Sequence, residues 1–189
     1  MPIAITTPPG AQPVTLEQIK QHLRLDTNDE DELLNSYCDA ATEFIEAHIS
    51  KFLIERNVRQ FVDGISESKE LLLEAEPVSE ITLVRGYDVN GNPHDFSSDV
   101  YRFFQYESPP RLFFDKSNLN LQTANGIEID MVAGYGESGT DIPQNIIRAL
   151  LVLIAHWYEH RGTNAAGETY GTIPEGFDKL LAPVRRVSL

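Results

Sequence analysis

The chain has 189 residues, 41% apolar and 23% charged, a balance that belongs to a folded globular protein long enough to bury a proper core. Its 29 acidic side chains against 15 basic ones leave a formal charge of -14. A surface of that sign repels phosphate backbones and excludes tight groove binding of nucleic acid, though it suits a wall that DNA must pass without adhering. The lone cysteine, Cys38, excludes a disulfide framework and a cysteine-based zinc cluster.

The opening MPIAITTPPGAQP lacks a basic region followed by an apolar run, so it does not read as a signal peptide. Residues 1–13, rich in Pro, Thr and Gly, are expected to form an extended N-terminal arm. A helical region over residues 14–54 follows. VTLEQIKQHLRLD reads as a short helix in which Thr15 caps, Gln18 answers three residues later, and Val14 with Ile19 forms a hydrophobic staple. DTNDEDELLNSYCDAATEFIEAHISKFL reads as a longer one, with Thr27 and Glu30 as a second capping box. Leu34, Tyr37, Cys38, Ala41, Phe44, Ile45, His48 and Ile49 recur at three- and four-residue steps and define its apolar face, which makes Cys38 a buried thiol. Glu32, Asp39, Glu43 and Glu46 line up on the other side as an acidic stripe. As a bland feature it is a solvated face; as a functional one it is a negative wall.

Residues 55–133 change character. NVRQFVDG, ELLLEA, VSEITLVRGYD, DVYRFFQY, RLFFD and GIEIDMVAG are short, β-branched or aromatic, and separated by turn residues. They predict an antiparallel sheet of about five or six strands, with Asn90-Gly91 as a hairpin turn. Helix returns over residues 141–182. Pro143 suits the first turn, Asp141 ahead of it suits the positive end of the helix dipole, and Gly162 serves as a stop. The body of this helix is apolar around most of its circumference, as a central bundle helix would be. Its longest unbroken apolar run, Ala149 to Ala155, falls far short of the roughly 20 residues needed to span a bilayer. A loop rich in Gly and Thr then leads to a last short helix, which Pro183 ends or kinks, and to a tail over residues 183–189.

Three patterns invite a chemical reading. His156-x-x-Glu159-His160 matches a zinc-peptidase signature, with both imidazoles one helical turn apart and Glu159 as base. The required third ligand lies many tens of residues downstream in that class, and here few residues follow. His160 and Arg161 at the end of a helix also suit the negative end of its dipole. Gly134-Tyr135-Gly136-Glu137-Ser138-Gly139 spells a dinucleotide fingerprint, but the helix starts after the third glycine and no strand follows to supply a ribose-binding acid. Asp88-x-Asn90-x-Asn92 imitates a calcium loop, but has Pro93 where glycine is needed and Asp99 in the closing position. No catalytic, metal or cofactor site is therefore assigned from the residues.

The order and spacing of the helical segments resemble those of tailed-phage head–tail connector proteins, the adaptor or head-completion proteins, some relatives of which are described as possible DNA-packaging proteins. The resemblance rests on VTLEQIKQHLRLD, on DELLNSYCDAATEFIEAHISKFL, on MVAGYGESGTDIPQNIIRALLVLIAHWYEHRG and on IPEGFDKLLAPVRRVSL. Gly134, Tyr135, Gly136, Pro143, Trp157, Tyr158 and Arg161 form its family-like packing motif. It implies a small α-helical bundle of about four helices carrying an inserted antiparallel β lobe, an α+β fold in one domain. It implies, further, a non-enzymatic subunit of a phage, prophage or gene-transfer particle, made in the bacterial cytoplasm and resident at the head–tail junction of the virion. Such subunits form a ring of about a dozen copies under the portal, extend the DNA channel without sequence-specific binding, and offer a platform to the next head-completion or tail protein. No cofactor and no membrane take part. Portal docking falls to the C-terminal tail, Val184, Arg185, Arg186, Val187, Ser188 and Leu189, and the acidic stripe faces the channel. The competing readings are a zinc hydrolase built on His156, Glu159 and His160, and a generic protein-interaction module.

Overall fold

A computed structural model of the chain describes residues 2–65, 68–115, 121, 124–160 and 173–185. It contains four α-helices and eight strands in two antiparallel sheets among the described residues, an α+β fold. The chain divides into two compact units, one formed by residues 1–10 and 55–135 and the other by residues 11–54 and 136–189.

The helical unit is built from α1 (Leu16–Leu23), α2 (Asp31–Ile49), α3 (Gln144–Glu159) and α4 (Phe177–Leu181). Local chemistry starts α1 as expected. The Thr15 hydroxyl accepts from the Gln18 amide, and the Gln18 side chain accepts from the Thr15 amide. Val14 and Ile19 are both buried. The second capping box does not form. Glu30 is itself the residue before α2 and no side chain caps that end. Its carboxylate instead accepts a hydrogen bond from the Tyr158 hydroxyl on α3, so a tertiary partner displaces the local one. Along α2, Leu34, Cys38, Ala41, Ile45 and Ile49 are buried, the apolar stripe its periodicity predicts. In α3, Ile146, Ile147, Ala149, Leu150, Leu153 and Ile154 are buried, while Leu151 and Val152 are only half-buried. Pro143 stands one residue before α3 with extended ψ, and not within its first turn. Gly162 lies outside the described residues. The chain leaves α4 two residues before Pro183, which cannot continue a helix.

The β unit holds a five-stranded and a three-stranded sheet, where the alternation of residues 55–133 predicted one sheet. The first runs β1 (Ile3–Thr7), β2 (Arg56–Val62), β8 (Ile127–Ala133), β4 (Val78–Tyr87) and β5 (Pro93–Asp95); the second runs β3 (Glu70–Leu72), β7 (Arg111–Phe114) and β6 (Tyr101–Phe104). All six predicted runs are strands, and two more join them. Part of the N-terminal arm becomes β1 because the free edge of β2 offers it backbone partners, with Ile3 opposite Gln60 and Ile5 opposite Val58. β5 forms because the hairpin at Asn90-Gly91 folds back on β4. Gly91 takes a φ of +81°, and the Asp88 carboxylate accepts from the Asn90 and Asn92 amides, so the calcium-like pattern is a self-hydrogen-bonded turn.

Val58, Val62, Ile127, Ile129, Met131 and Val84 are buried on alternate positions of β2, β8 and β4. Leu112 and Phe114 bury the same way in β7. Buried Gln60 spends both ends of its amide on backbone. It donates to the Leu72 carbonyl at 3.0 Å and accepts from the Glu74 amide at 2.9 Å. No helix among the described residues is long and apolar enough to cross a membrane.

Candidate functional site

The predicted motif residues fall on the two units separately. In the helical unit, Trp157 is half-buried against α2, with its ring 6.4 Å from Tyr37 and 6.1 Å from Phe44. Phe44 also meets Phe177 of α4 at 6.0 Å, and His48 stacks beside it. These contacts join α2, α3 and α4 by offset and edge-on ring packing. Tyr158 adds its hydrogen bond to Glu30. His48 further pairs with Asp178 at 3.0 Å. Aromatic spacing on α2 and α3 is visible in the sequence; the Tyr158–Glu30 and His48–Asp178 contacts have no local signal. Arg161 lies outside the described residues.

The glycine-rich turn is steric in origin. Gly134 follows β8 with a φ of +140°, a region side-chain-bearing residues avoid. A Cβ on Gly136 would meet the Asp141 side chain at 2.5 Å, and one on Gly139 would lie 2.0 Å from the Pro13 carbonyl oxygen. Asp141 accepts from the Ser138 amide at 3.1 Å and closes a short 3-10 turn over Gly139–Asp141. Gly136 and Gly139 therefore let the turn and the backbone entering α1 approach one another, and α3 starts only at Gln144, five residues after the third glycine. Tyr135 is half-buried, and burial pushes its hydroxyl pKa up, with the nearby Glu76 charge adding to it.

The His156 and His160 rings meet at a tilt, with ring centres 4.4 Å apart. The His160 ring nitrogen Nδ1 sits 2.8 Å from the His156 carbonyl oxygen at the end of α3. Among the described residues, no group of three or more His, Cys, Asp or Glu is placed to hold a metal ion. His156 lies in the last turn of α3 and His160 caps it, where imidazoles suit the negative end of the helix dipole.

Of the acidic stripe, Glu32, Asp39 and Glu43 are exposed. The Asp39 carboxylate accepts from the Gln12 side chain at 2.9 Å. Glu46 is half-buried, and its carboxylate accepts the Leu53 amide at 2.8 Å, closing the chain after α2. Glu46 is thereby committed to structure, while the other three face solvent. On the buried side of α2, the Cys38 thiol is pushed up from 9.0 to about 11, by burial first and the Asp39 charge second. It is an inert group. At the C-terminal end Val184 is half-buried and Arg185 exposed; Arg186, Val187, Ser188 and Leu189 lie outside the described residues.

The chain as a whole is similar to known particle components. Residues 13–85, which span α1, α2, β2, β3 and β4 through Arg85, match the family of Phage gp6-like head-tail connector proteins. No curated protein sequence matches the chain. Among solved structures, a chain from the neck of an empty gene transfer agent particle, computed with C6 symmetry, is 28% identical with a TM-score of 0.82. A chain from the virion of a native gene transfer agent particle is 27% identical with a TM-score of 0.80. A third, from the neck of a native particle computed with C12 symmetry, is 26% identical with a TM-score of 0.79. Each comparison covers 100% of this chain and 97% of the other. With the family match across both opening helices and a fold shared from end to end with particle neck chains, the chain is similar to phage head–tail connector proteins, and both findings point to a structural role.

Proposed function

We propose that the chain acts without substrate turnover, as the repeating subunit of a ring at the head–tail junction of a phage-like particle. The ring extends the channel through which DNA leaves the head and offers a platform for the next component. The observation that carries this reading is the full-length match to neck chains, one of them from a neck with C12 symmetry. A ring of that order needs a heterologous, head-to-tail contact between subunits, which closes by rotation. The portal protein above and a head-completion or tail protein below are the partners this position requires.

Docking to the portal falls to the C-terminal tail from Val184 to Leu189. Its Arg185 and Arg186 are cations on a chain of charge -14, suited to an acidic or polar groove. Glu32, Asp39 and Glu43 face the channel in this reading, with Glu46 behind them. Carboxylates there repel DNA phosphates over about 8 Å at physiological salt, which keeps a closely fitting duplex sliding. Mixing the chain with its cognate portal, with and without residues 184–189, tests the assembly. Rings on the portal are expected from the full chain and none from the truncated one, by electron microscopy. Equal ring formation by both removes the docking role of the tail, and no rings from either removes the connector reading.

A further inference from the structure

The first strand of the β unit is tied to the rest of that unit in an unusual way. β1 pairs with β2 through backbone hydrogen bonding, yet 44 residues of the helical unit, Ala11–Ile54, separate it in sequence from the residue 55 that resumes its own unit. The side chains of β1 contribute little to the core. Ile3 is half-buried, and Ala4, Ile5, Thr6 and Thr7 are exposed, with Ile5 at 53%. Its hold on β2 is therefore mainly the ladder itself, which an identical strand from another copy would reproduce bond for bond.

The segment after it is built as a spacer. Pro8, Pro9, Gly10 and Ala11 are all exposed, and the chain is next anchored where Gln12 bonds Asp39 and Pro13 is buried. Proline-rich segments stay extended, at about 3.1 Å per residue, and resist collapse. Charge adds a third observation. No charged side chain occurs before Glu17, whereas the chain as a whole carries -14. Two copies of so acidic a protein repel one another, and the neutral arm is the segment that crosses to a neighbour at the least electrostatic cost.

We infer that β1 is exchanged between neighbouring copies in the assembled ring, each subunit's residues 3–7 completing the five-stranded sheet of the next. This rests on the ring reading above. Exchange of an identical element keeps every backbone bond of the isolated subunit and adds one strand link per interface. It is directional, since a strand is given on one side and received on the other, so it propagates around a cycle as a heterologous contact must. A closed ring leaves no β2 edge unfilled.

Thr7 and Asn57 are opposed across the β1–β2 pair and both are exposed, which makes them the positions to cross-link. The test carries Thr7→Cys and Asn57→Cys in a Cys38→Ala background, oxidised first as dilute free subunit and then after assembly on the cognate portal. The free subunit is expected to close an internal disulfide and run at single-chain mass. The assembled ring is expected to shift most of its protein into a ladder of linked chains, dissolved by reductant. Rings visible by electron microscopy that yield only single-chain disulfides, or no disulfide at all, overturn the exchange while leaving the ring reading intact. Absence of rings in the parent protein overturns the ring reading first, and the exchange with it.

Discussion

The two units carry the same net charge and hold it differently. The helical unit has 15 acidic and 8 basic residues and the β unit 14 and 7, so each stands at -7. In the β unit the arginines are spent across strands. Arg59 grips Asp130 with two bonds of 2.6 and 2.8 Å and reaches Glu128, Arg85 pairs with Asp95, Arg102 with Asp115, and Arg111 with Glu70 and Glu107. In the helical unit the packing is by rings and aliphatic side chains, Lys20 pairs with Asp31, and Glu32, Asp39 and Glu43 make no ion pair among the described residues. Equal totals thus produce unequal surfaces. Charge in the β unit is part of how the sheets are held in register, whereas on α2 it is left to act outward.

Substitutions that separate packing from charge sharpen this contrast. Phe177→Ala removes a fully buried ring that meets Phe44 and His48, and is expected to cost the helical unit about 3–5 kcal/mol in denaturant unfolding. Arg59→Met leaves Asp130 and Glu128 half-buried without their cation, and the expected loss is about 1.5–3 kcal/mol by the same measurement. A loss within error there would mean that cross-strand charge does not hold the sheet. Folding raises the Cys38 thiol from 9.0 to about 11, so the folded state keeps a proton that the unfolded chain releases. The associated stability is complete below pH 9 and drains away as pH rises to 11, on the order of 2 kcal/mol. Thermal unfolding across that window is expected to show this extra loss in the parent protein and not in Cys38→Ala.

Smaller effects test the surfaces. Thr15→Ala breaks the reciprocal cap of α1 and is expected to cost about 1 kcal/mol. Neutralising Glu32, Asp39 and Glu43 together as Gln, Asn and Gln is expected to change stability by no more than about 0.5 kcal/mol. The same triple variant is expected to slow DNA ejection from assembled particles. Particles that pack and eject at the parent rate would remove the stripe from the channel, and a large loss of stability would erase the contrast between the units.

Much of the helical unit was legible in its residues. The Thr15–Gln18 cap and the buried stripe of α2 depend on groups spaced a turn or so apart along one helix, and the glycine turn before Pro143 is visible as a pattern although one cause of it, the Pro13 carbonyl against Gly139, lies far away in sequence. The resemblance of those segments to connector proteins was legible for the same reason, since the matched features are packing patterns in a fixed order. Less was legible in the β unit. The six apolar runs were visible, but their division between two sheets was not, because alternation marks a strand without naming its neighbour. β1 was hidden altogether, since ITT-type residues in a Pro-rich arm show no burial pattern and only the vacant edge of β2 makes them a strand. Glu46 and Glu30 each hold a partner that no local pattern shows. Each carboxylate matched a local pattern, a stripe or a cap, but found its partner elsewhere, at the Leu53 amide and the Tyr158 hydroxyl.

What the sequence by itself determined is the set of local choices: helix starts and apolar faces, the hairpin at Asn90-Gly91, an acidic balance that keeps phosphate at a distance, and a lone thiol placed to be buried. Only the tertiary structure decided which strands share a sheet, which carboxylates are bound and which face solvent, and that the N-terminal arm pairs with β2 across 48 intervening residues of chain. The physical reason is range. Caps and periodicities are set by neighbours along the backbone, while Arg59–Asp130 and Tyr158–Glu30 join groups 71 and 128 residues apart, and such pairs exist only once the chain has folded.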